Sequence, residues 1–238
     1  MNIVLLNAQD KDQHNLYCID QLRQYKHITE HLNLKVGDQL KLGIENKARY
    51  IAQIKTIDAS KIWVEPIVEE PVPNKLPITL IVALPRPKVL RRLVMDSVTM
   101  GVERIILLHS YRVDKSYWQS PLLKQLDDYV TLGLEQAGDV FKPEILLYQR
   151  FKPFVEDVLP TLIHAQSPAY VAHPYAVNEM PYALSKQQSC TLIIGPEGGF
   201  IPYEIELMQK NGCHICQLGN RILRTETAIS YILGRLFI

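Results

Sequence analysis

Cysteine is scarce in this chain of 238 residues, which has only Cys18, Cys190, Cys213 and Cys216. The four are scattered and offer no disulfide framework, as is typical of proteins from a reducing compartment. Cys213 and Cys216 do have the CxxC spacing of a zinc or redox site, but no second pair accompanies them. The alternative is that these small residues fill a strand, and we expect no metal site.

Long apolar runs are also lacking. None approaches the roughly 18 residues that span a membrane. The first residues, MNIVLLNAQD, have neither the basic region nor the long apolar core of a signal peptide. These absences predict a cytoplasmic protein with no membrane partner.

The chain has no large excess of charge of either sign. Its 26 lysines and arginines nearly balance its 25 aspartates and glutamates, for a formal net charge of +1. Binding to nucleic acid therefore requires a local basic surface, because there is no global excess of positive charge. Hydrophobic residues make up 47% of the chain, which is enough for one large domain or for a medium domain with a smaller companion.

The first 70 residues favour β-structure. The segments DQLKLGI, ARYIAQIKTI and KIWVEPIV alternate or cluster strand-forming residues between turn signals. They predict a small β-barrel or sandwich over residues 1–70. The following segment, EEPVPNKLP, is rich in proline, which suits an extended linker and not a central strand. We therefore place a linker at residues 71–77 and a second domain at residues 78–238.

Strand and helix patterns alternate through the second domain. This alternation predicts an α/β fold with a mainly parallel sheet that is covered on both faces. Ligands of such sheets bind at the carboxyl ends of the strands, so the turns after Ala172, Ile194 and Leu218 are candidate sites. The predicted strands are 78–84, 104–110, 144–147, 169–172, 191–194 and 214–218, and the predicted helices are 88–100, 120–130, 153–164, 202–211 and 225–237.

The turn IGPEGGF, residues 194–200, combines glycines with a carboxylate. It lacks the GxGxxG pattern of dinucleotide-binding folds, and no lysine follows it as in GxxxxGK[ST]. Glycines let backbone groups come close to a flat ligand, beside which Glu197 would offer an acceptor. The alternative is a tight turn with only a structural role.

A second loop, LGNRILRTETA at residues 218–228, precedes the last predicted helix. Two residues of this loop have a purely structural explanation. Thr225 can be the N-cap of the helix, and the negative charge of Glu226 in the first turn complements the helix dipole. Arg221 and Arg224 have no such explanation, because cations are disfavoured near a helix N-terminus. They indicate an anionic or electron-rich partner, such as an RNA phosphate or a nucleobase carbonyl edge.

Together, IGPEGGF followed by Glu204 and the later LGNRILRTETA resemble the C-terminal signature of the RsmE family, the 16S rRNA (uracil-N3)-methyltransferases of the SPOUT superfamily. Weaker matches are LKVGDQLKL, MGVERI, LEQAG and Arg112. The resemblance covers the whole chain and implies a PUA-like, RNA-binding β-barrel followed by a trefoil-knotted α/β domain. It also implies S-adenosylmethionine (SAM) as cofactor, ribosomal RNA within the 30S subunit as partner, and a homodimer.

The resemblance implies roles for individual residues. The cofactor-binding set comprises His173, Pro174, Ile194, Gly195, Glu197, Gly198, Gly199, Leu218, Gly219, Arg221, Ile222, Leu223, Thr225, Thr227 and Ala228. The RNA-binding set comprises Arg86, Lys88, Arg91, Arg92, Arg112 and Arg221. For the cluster RPKVLRR, the alternative to phosphate binding is a solvated helix face.

Methylation of uridine N3 requires a weakly acidic imide proton to leave. Glu226 is the candidate for the base, or for the group that orients N3–H, and Arg224 would stabilise the negative charge on the uracil carbonyl oxygens. Glu197 is the competing carboxylate. Two other interpretations remain, a SPOUT methyltransferase that acts on a different RNA nucleotide and a non-catalytic RNA-binding protein.

Overall fold

The computed structural model describes residues 2–184 and 188–237, and the chain forms two compact units. The first unit combines Met1–Asn74 with Thr131–Lys142. The second combines Lys75–Val130 with Pro143–Ile238. Each unit is built around its own β-sheet.

Short and medium strands form the sheet of the first unit. They are β1 (Val4–Leu6), β2 (Tyr17–Ile19), β3 (Gln39–Ile44), β4 (Ala48–Ile57) and β5 (Ile62–Glu70). They lie in the order β1-β3-β4-β5-β2, and all neighbouring pairs are antiparallel except β1 with β3. The strands predicted from DQLKLGI, ARYIAQIKTI and KIWVEPIV are confirmed as β3, β4 and β5. β1 and β2 were not predicted, because three residues are too few to show an alternation.

The core of the first unit follows from the alternation along its strands. Leu40 and Leu42 of β3 are buried, whereas Lys41 between them is exposed. A short helix, α1 (Leu22–Lys26), continues as a π-helical turn to His31. This helical segment was not predicted, since it is too short to establish a helical period.

Residues 131–142 are fastened within the first unit by the buried side chain of Glu135. This carboxylate pairs with Arg23 at 2.7 Å and accepts a hydrogen bond from Gln24 Nε2 at 2.9 Å. Its backbone carbonyl accepts from the amides of residues 2 and 3. The predicted division of the chain had placed this segment in the second domain, so the two divisions differ here.

The second unit is built on a parallel sheet. Its strands are β6 (Leu76–Ala83), β7 (Val102–Leu108), β8 (Glu144–Tyr148), β9 (Ala169–Ala172), β10 (Asn178–Glu179), β11 (Cys190–Ile194) and β12 (Cys213–Gln217). Within the described ranges they lie in the order β10-β12-β9-β11-β6-β7-β8, and every neighbouring pair is parallel. The predicted α/β fold with a mainly parallel sheet is confirmed. The two-residue β10 was not predicted.

Helices connect these strands. They are α2 (Pro87–Thr99), α3 (Leu126–Ala137), α4 (Phe151–Pro153), α5 (Leu159–Leu162), α6 (Pro202–Lys210) and α7 (Thr225–Leu236), and α3 belongs to the first unit from residue 131 onward. Among the described residues, no helix is long and apolar enough to cross a membrane. α2 shows how the sequence sets its limits: Pro87 occupies its first turn, and Gly101 follows its end with a φ of +84°.

The C-terminal strand β12 lies between two strands that are joined to each other. Cys216 of β12 is aligned with Ala172, the last residue of β9, and on the other side with Asn178, the first residue of β10. The connection at residues 173–177 therefore crosses over the carboxyl end of β12. It is held there by a hydrogen bond from the His173 amide to the Cys216 carbonyl, at 2.9 Å.

The CxxC pair lies inside β12. Cys213 and Cys216 are buried there, in register with two alanines of β9. Burial raises the pKa of the Cys213 thiol to about 12, and it also raises the pKa of Cys216. A thiol with a raised pKa is a poor metal ligand and a poor nucleophile at neutral pH, so the structure supports the strand-filling interpretation.

Candidate active site

A pocket of about 1050 Å³ lies in the second unit, where β9, β11 and β12 end. Its position agrees with the three turns singled out in the sequence, and its size suits a nucleotide-like ligand. Predicted site residues that line it are Arg86, Arg92, Arg112, His173, Pro174, Ile194, Gly195, Glu197, Gly198, Gly199, Leu218, Gly219, Arg221, Ile222, Leu223, Arg224, Thr225, Glu226 and Ala228.

Each glycine of the turn after β11 is required for a separate structural reason. Gly199 has a φ of +73°, which an L side chain rarely adopts. A Cβ on Gly195 would come within 3.1 Å of the Phe200 ring, and a Cβ on Gly198 would come within 3.1 Å of Arg112 Cδ. The backbone of this turn is thus closely packed on one side and borders the pocket on the other.

A buried carboxylate, Glu204 of α6, braces this turn. One of its oxygens accepts a hydrogen bond from the amide of Ile201 at 3.0 Å. The other accepts a hydrogen bond at 2.8 Å from the amide of Tyr111, which follows β7. The neighbouring Arg112 donates a hydrogen bond to the carbonyl of Gly198. Two loops that border the pocket are therefore joined at two points.

The loop between β12 and α7 forms another wall of the pocket. Gly219 has a φ of +110°, and a Cβ placed on it would meet no atom within 4 Å. Ile222 is largely exposed, with 75% of its surface accessible. Arg221 and Arg224 are exposed, and no residue in the described part of the chain pairs with either guanidinium.

The predicted N-cap of α7 was wrong. Arg224 occupies the N-cap position with an extended backbone and no side-chain capping hydrogen bond. Thr225 is the first residue inside the helix and is buried. Glu226 does lie in the first turn, as predicted, where a negative charge complements the helix dipole.

Two arginines that were predicted to bind RNA contact carboxylates of the pocket. Arg86 Nε lies 2.6 Å from Glu197 Oε2, and both side chains are substantially exposed. Arg92 Nη2 lies 2.5 Å from Glu226 Oε1. Each of the two carboxylates considered as a base thus has an arginine partner from the segment RPKVLRR.

The pocket lining and the predicted site residues do not coincide completely. Lys88, Arg91 and Thr227 do not line the pocket. Residues that line it without having been predicted are Val89, Ala172, Tyr175, Pro196, Phe200, Pro202, Ile205 and Glu206. Pro196, Phe200 and Pro202 lie in or beside the glycine-rich turn, so the motif itself could have found them. Glu206 carried no sequence signal, because only the packing of α6 turns it towards the pocket.

The pocket has an excess of positive charge. Five arginines and three glutamates line it, so its formal charge is positive by two units. His173 does not add to this charge at neutral pH, since desolvation lowers the pKa of its imidazole. Such a surface favours an anionic ligand or an anionic reaction intermediate.

The fold and the pocket together define an α/β protein with a pocket of nucleotide-like size at the carboxyl ends of parallel strands. The chain belongs to the family described as RNA methyltransferase domain, whose model matches residues 72–237. The chain is therefore an RNA methyltransferase, and its predicted membership of the RsmE family is confirmed by its relatives.

One such relative is the ribosomal RNA small subunit methyltransferase E of Treponema pallidum, 27% identical over 96% of this chain and 87% of its own length. The methyltransferase of that name from Neisseria gonorrhoeae, solved with SAM bound, superposes with a TM-score of 0.77 at 19% identity, over 98% of this chain and 96% of its own. A Legionella pneumophila protein with bound SAM gives a TM-score of 0.75 at 23% identity, over 98% and 95% of the two chains. At these identities the structural likenesses concern the fold.

Proposed function

We propose that this chain transfers a methyl group from SAM to N3 of a uridine in small-subunit ribosomal RNA. The observation that carries the proposal is the positively charged pocket at the ends of β9, β11 and β12, formed by the two motifs of the RsmE signature. The names of the relatives, which are small-subunit rRNA methyltransferases, support the substrate. The action on uracil N3 follows from the RsmE resemblance.

The lining of the pocket fits SAM. The backbone of residues 194–199 and the Leu218–Leu223 wall would hold the adenosine, since the glycines there leave room for close approach. The open space beside Gly219 and Gly199 would be filled by a Cβ at either position. SAM supplies an electrophilic methyl group on a sulfonium, and the two similar folds solved with SAM support this choice.

The reaction needs the uracil ring held in line with that methyl group while N3 loses its proton. Holding two reactants in alignment can contribute roughly 7–11 kcal/mol, and a general base adds about 10² to 10⁴ in rate. Glu226 acts as the acceptor for N3–H, and the unpaired guanidinium of Arg224 stabilises the charge on the uracil carbonyl oxygens.

The finer features of the fold belong to the same proposal. The crossing of residues 173–177 over β12 supports a trefoil knot through which the C-terminal segment is threaded. The five-stranded sheet of the first unit supports a PUA-like, RNA-binding barrel at residues 1–70, with residues 71–77 as linker and 78–238 as the methyltransferase domain. Lys88 and Arg91, which lie outside the pocket, are the remaining candidates of the RPKVLRR cluster for phosphate contacts.

A homodimer in the cytoplasm completes the proposal. Exposed apolar residues beside the pocket and on α7, namely Tyr175, Val177, Ile222 and Tyr231, support a covering second copy. Light scattering after gel filtration should give twice the 27.3 kDa of one chain. The mass of a single chain would contradict the dimer.

The test is transfer of labelled methyl from SAM to isolated 30S subunits, to their naked RNA and to bulk tRNA. We expect label at uridine N3 of the small-subunit RNA. We expect Glu226→Gln and Arg224→Ala to bind SAM but to transfer methyl far more slowly, with Glu226→Gln slower by about 10² to 10⁴. Matched controls are Glu103→Gln and Arg150→Ala, exposed residues that do not line the pocket. Label on another nucleotide would contradict the substrate, and SAM binding without any transfer would support a non-catalytic RNA-binding protein.

A further inference from the structure

α2 and α7 are joined at the edge of the pocket by Arg92 and Glu226. Arg92 Nη2 donates a hydrogen bond to Glu226 Oε1 at 2.5 Å, and both residues line the pocket. The Glu226 side chain is only 18% exposed, whereas that of Arg92 is 60% exposed. No described residue donates to Glu226 Oε2, so one oxygen of the carboxylate is bound by Arg92 and the other is available to a ligand.

A second carboxylate lies near the same guanidinium. Asp96 follows Arg92 by four residues on α2, so the two share a face of the helix. Desolvation raises the pKa of Asp96, Arg92 lowers it and the negative charge of Glu226 raises it. Arg92 therefore attracts both carboxylates, whose negative charges repel each other.

We propose that Arg92 is a positioning residue for methyl transfer, which holds the Glu226 carboxylate at the pocket wall with Oε2 facing the substrate, and that it does not bind RNA phosphate. The inference rests on the proposed function, because it assigns Glu226 to the uridine N3–H. Arginine suits this role, since a charge-assisted hydrogen bond to one carboxylate oxygen holds that oxygen and leaves the other available to the substrate.

Arg91 offers a matched comparison on the same helix. It is also an exposed arginine, but it does not line the pocket, and no described residue pairs with it. A phosphate-binding role for the cluster predicts similar effects of removing either arginine. A positioning role predicts that only the loss of Arg92 affects the chemical step.

The experiment is a double-mutant cycle with Arg92→Met and Glu226→Gln, measured as single-turnover methyl transfer at saturating SAM and RNA. Arg92→Met should slow transfer by about 10- to 100-fold, the range expected when a reacting group is misplaced by about an ångström. Adding Arg92→Met to Glu226→Gln should change the rate less than twofold, because Arg92 acts through Glu226. The dissociation constant for SAM should stay unchanged, and Arg92→Lys should recover part of the lost rate.

Three outcomes would overturn the proposal. In the first, the rate reductions caused by the two substitutions multiply in the double variant, which means that Arg92 acts independently of Glu226. In the second, Arg92→Met and Arg91→Met lower RNA affinity equally. Each then also reduces the slope of the logarithm of the RNA-binding constant against the logarithm of the salt concentration by about 0.7 to 0.9, as expected for the loss of one phosphate contact. In the third, Arg92→Met and Arg92→Lys both lose SAM binding, which makes the residue part of the cofactor site. Failure of the wild-type protein to methylate any RNA would instead overturn the proposed function.

Discussion

Gly199 and Gly234 show how the same residue type serves different needs in one chain. Gly199 lies in the pocket turn with a φ of +73°. Gly234 lies inside α7, and a Cβ added there would meet no atom within 4 Å. A side chain at position 199 would therefore strain the backbone, whereas a side chain at position 234 would meet neither strain nor a steric clash.

We expect opposite effects from alanine at these two positions. Gly199→Ala should lower the free energy of unfolding by about 1–2 kcal/mol, the cost of a left-handed backbone for an L residue. Gly234→Ala should raise it by about 0.5–1 kcal/mol, because glycine is a poor helix former. Urea titrations of both variants check the prediction, and equal shifts of the same sign would contradict it.

His109, which directly follows β7, is a pH-sensitive residue of the second unit. Trp118 Nε1 donates a hydrogen bond to its Nδ1 at 2.9 Å, which requires that nitrogen to be unprotonated. Desolvation, with a smaller effect of Lys115, lowers the pKa of His109, while Glu204 raises it. The folded protein thus favours the neutral imidazole.

This lowered pKa predicts acid sensitivity. Between it and the unfolded value of about 6.5, the unfolded chain binds the proton and the folded chain does not, so the free energy of unfolding falls as the pH drops through that range. His109→Gln should weaken this dependence, although His173, whose pKa is also lowered, will keep part of it. Melting temperatures of the wild type and of His109→Gln, measured from pH 8 to pH 5, check this prediction. An equally steep loss in the variant would show that His109 is not responsible.

At the scale of elements, the end of α7 is anchored by Arg235. Its guanidinium donates to the carbonyls of Met180 at 2.5 Å and Pro181 at 3.2 Å, and it lies 3.5 Å from the centre of the Tyr182 ring. The amides of residues 183 and 184 bond back to carbonyls at the end of the helix. Residues 180–184, which follow β10, are thus held by hydrogen bonds to the end of α7.

Removal of this anchor should loosen that segment specifically. Arg235→Met leaves two carbonyls without their donor, so we expect a loss of about 1–3 kcal/mol of stability. Hydrogen exchange at the amides of Ala183 and Leu184 should quicken more than exchange in β6. Arg104→Met breaks the exposed pair with Glu144 on β7 and β8 and should cost less than about 1 kcal/mol. Uniform acceleration of exchange throughout the sheet would contradict a local role.

Elements with a strong local signal were well predicted. The predicted helix 88–100 is observed as α2, and Leu90, Leu93, Val94 and Val98 are buried at the helical spacing expected of one apolar face. The predicted helix 120–130 begins at Ser120, whose side chain accepts a hydrogen bond from the Leu122 amide, but the first turn is 3₁₀ and α3 starts only at Leu126. The elements that were missed are short ones, because two or three residues fix no period and form only when a neighbouring strand supplies hydrogen bonds.

At the scale of the whole molecule, the first unit is discontinuous in sequence. Its N-terminal part depends on Glu135, which provides acceptors for Arg23, Gln24 and the amides of residues 2 and 3. A break at the proline-rich linker would separate these partners. Gln24 and the two amides would then lose their hydrogen bonds, each worth roughly 0.5–1.5 kcal/mol.

A fragment of residues 1–74 should therefore not fold cooperatively on its own. Circular dichroism during heating should show a broad, shallow change, whereas the full chain should show a sharp transition. A fragment that also carries residues 126–142 through a flexible linker should recover cooperativity. A sharp transition of the 1–74 fragment alone would contradict the dependence on Glu135.

The candidate site was found from the sequence in outline but not in its contacts. IGPEGGF and LGNRILRTETA indicated the two loops, because backbone requirements and unexplained arginines leave local signals. The partners of Glu197 and Glu226 left none: Arg86 and Arg92 lie more than 100 residues away in sequence and resembled a phosphate-binding cluster. Which cation neutralises which carboxylate depends on how α2 packs beside the strand ends and α7.

The sequence by itself determined the alternation of strands and helices, the limits of α2, the glycines at the pocket and the family to which the chain belongs. These features depend on hydrophobic period, backbone dihedral preference and short motifs, all of which act over a few residues. Only the tertiary structure decided that β12 lies between β9 and β10, that residues 131–142 belong to the first unit, and that Arg92 holds Glu226. Such contacts join distant segments, and packing in three dimensions selects them without leaving a local pattern.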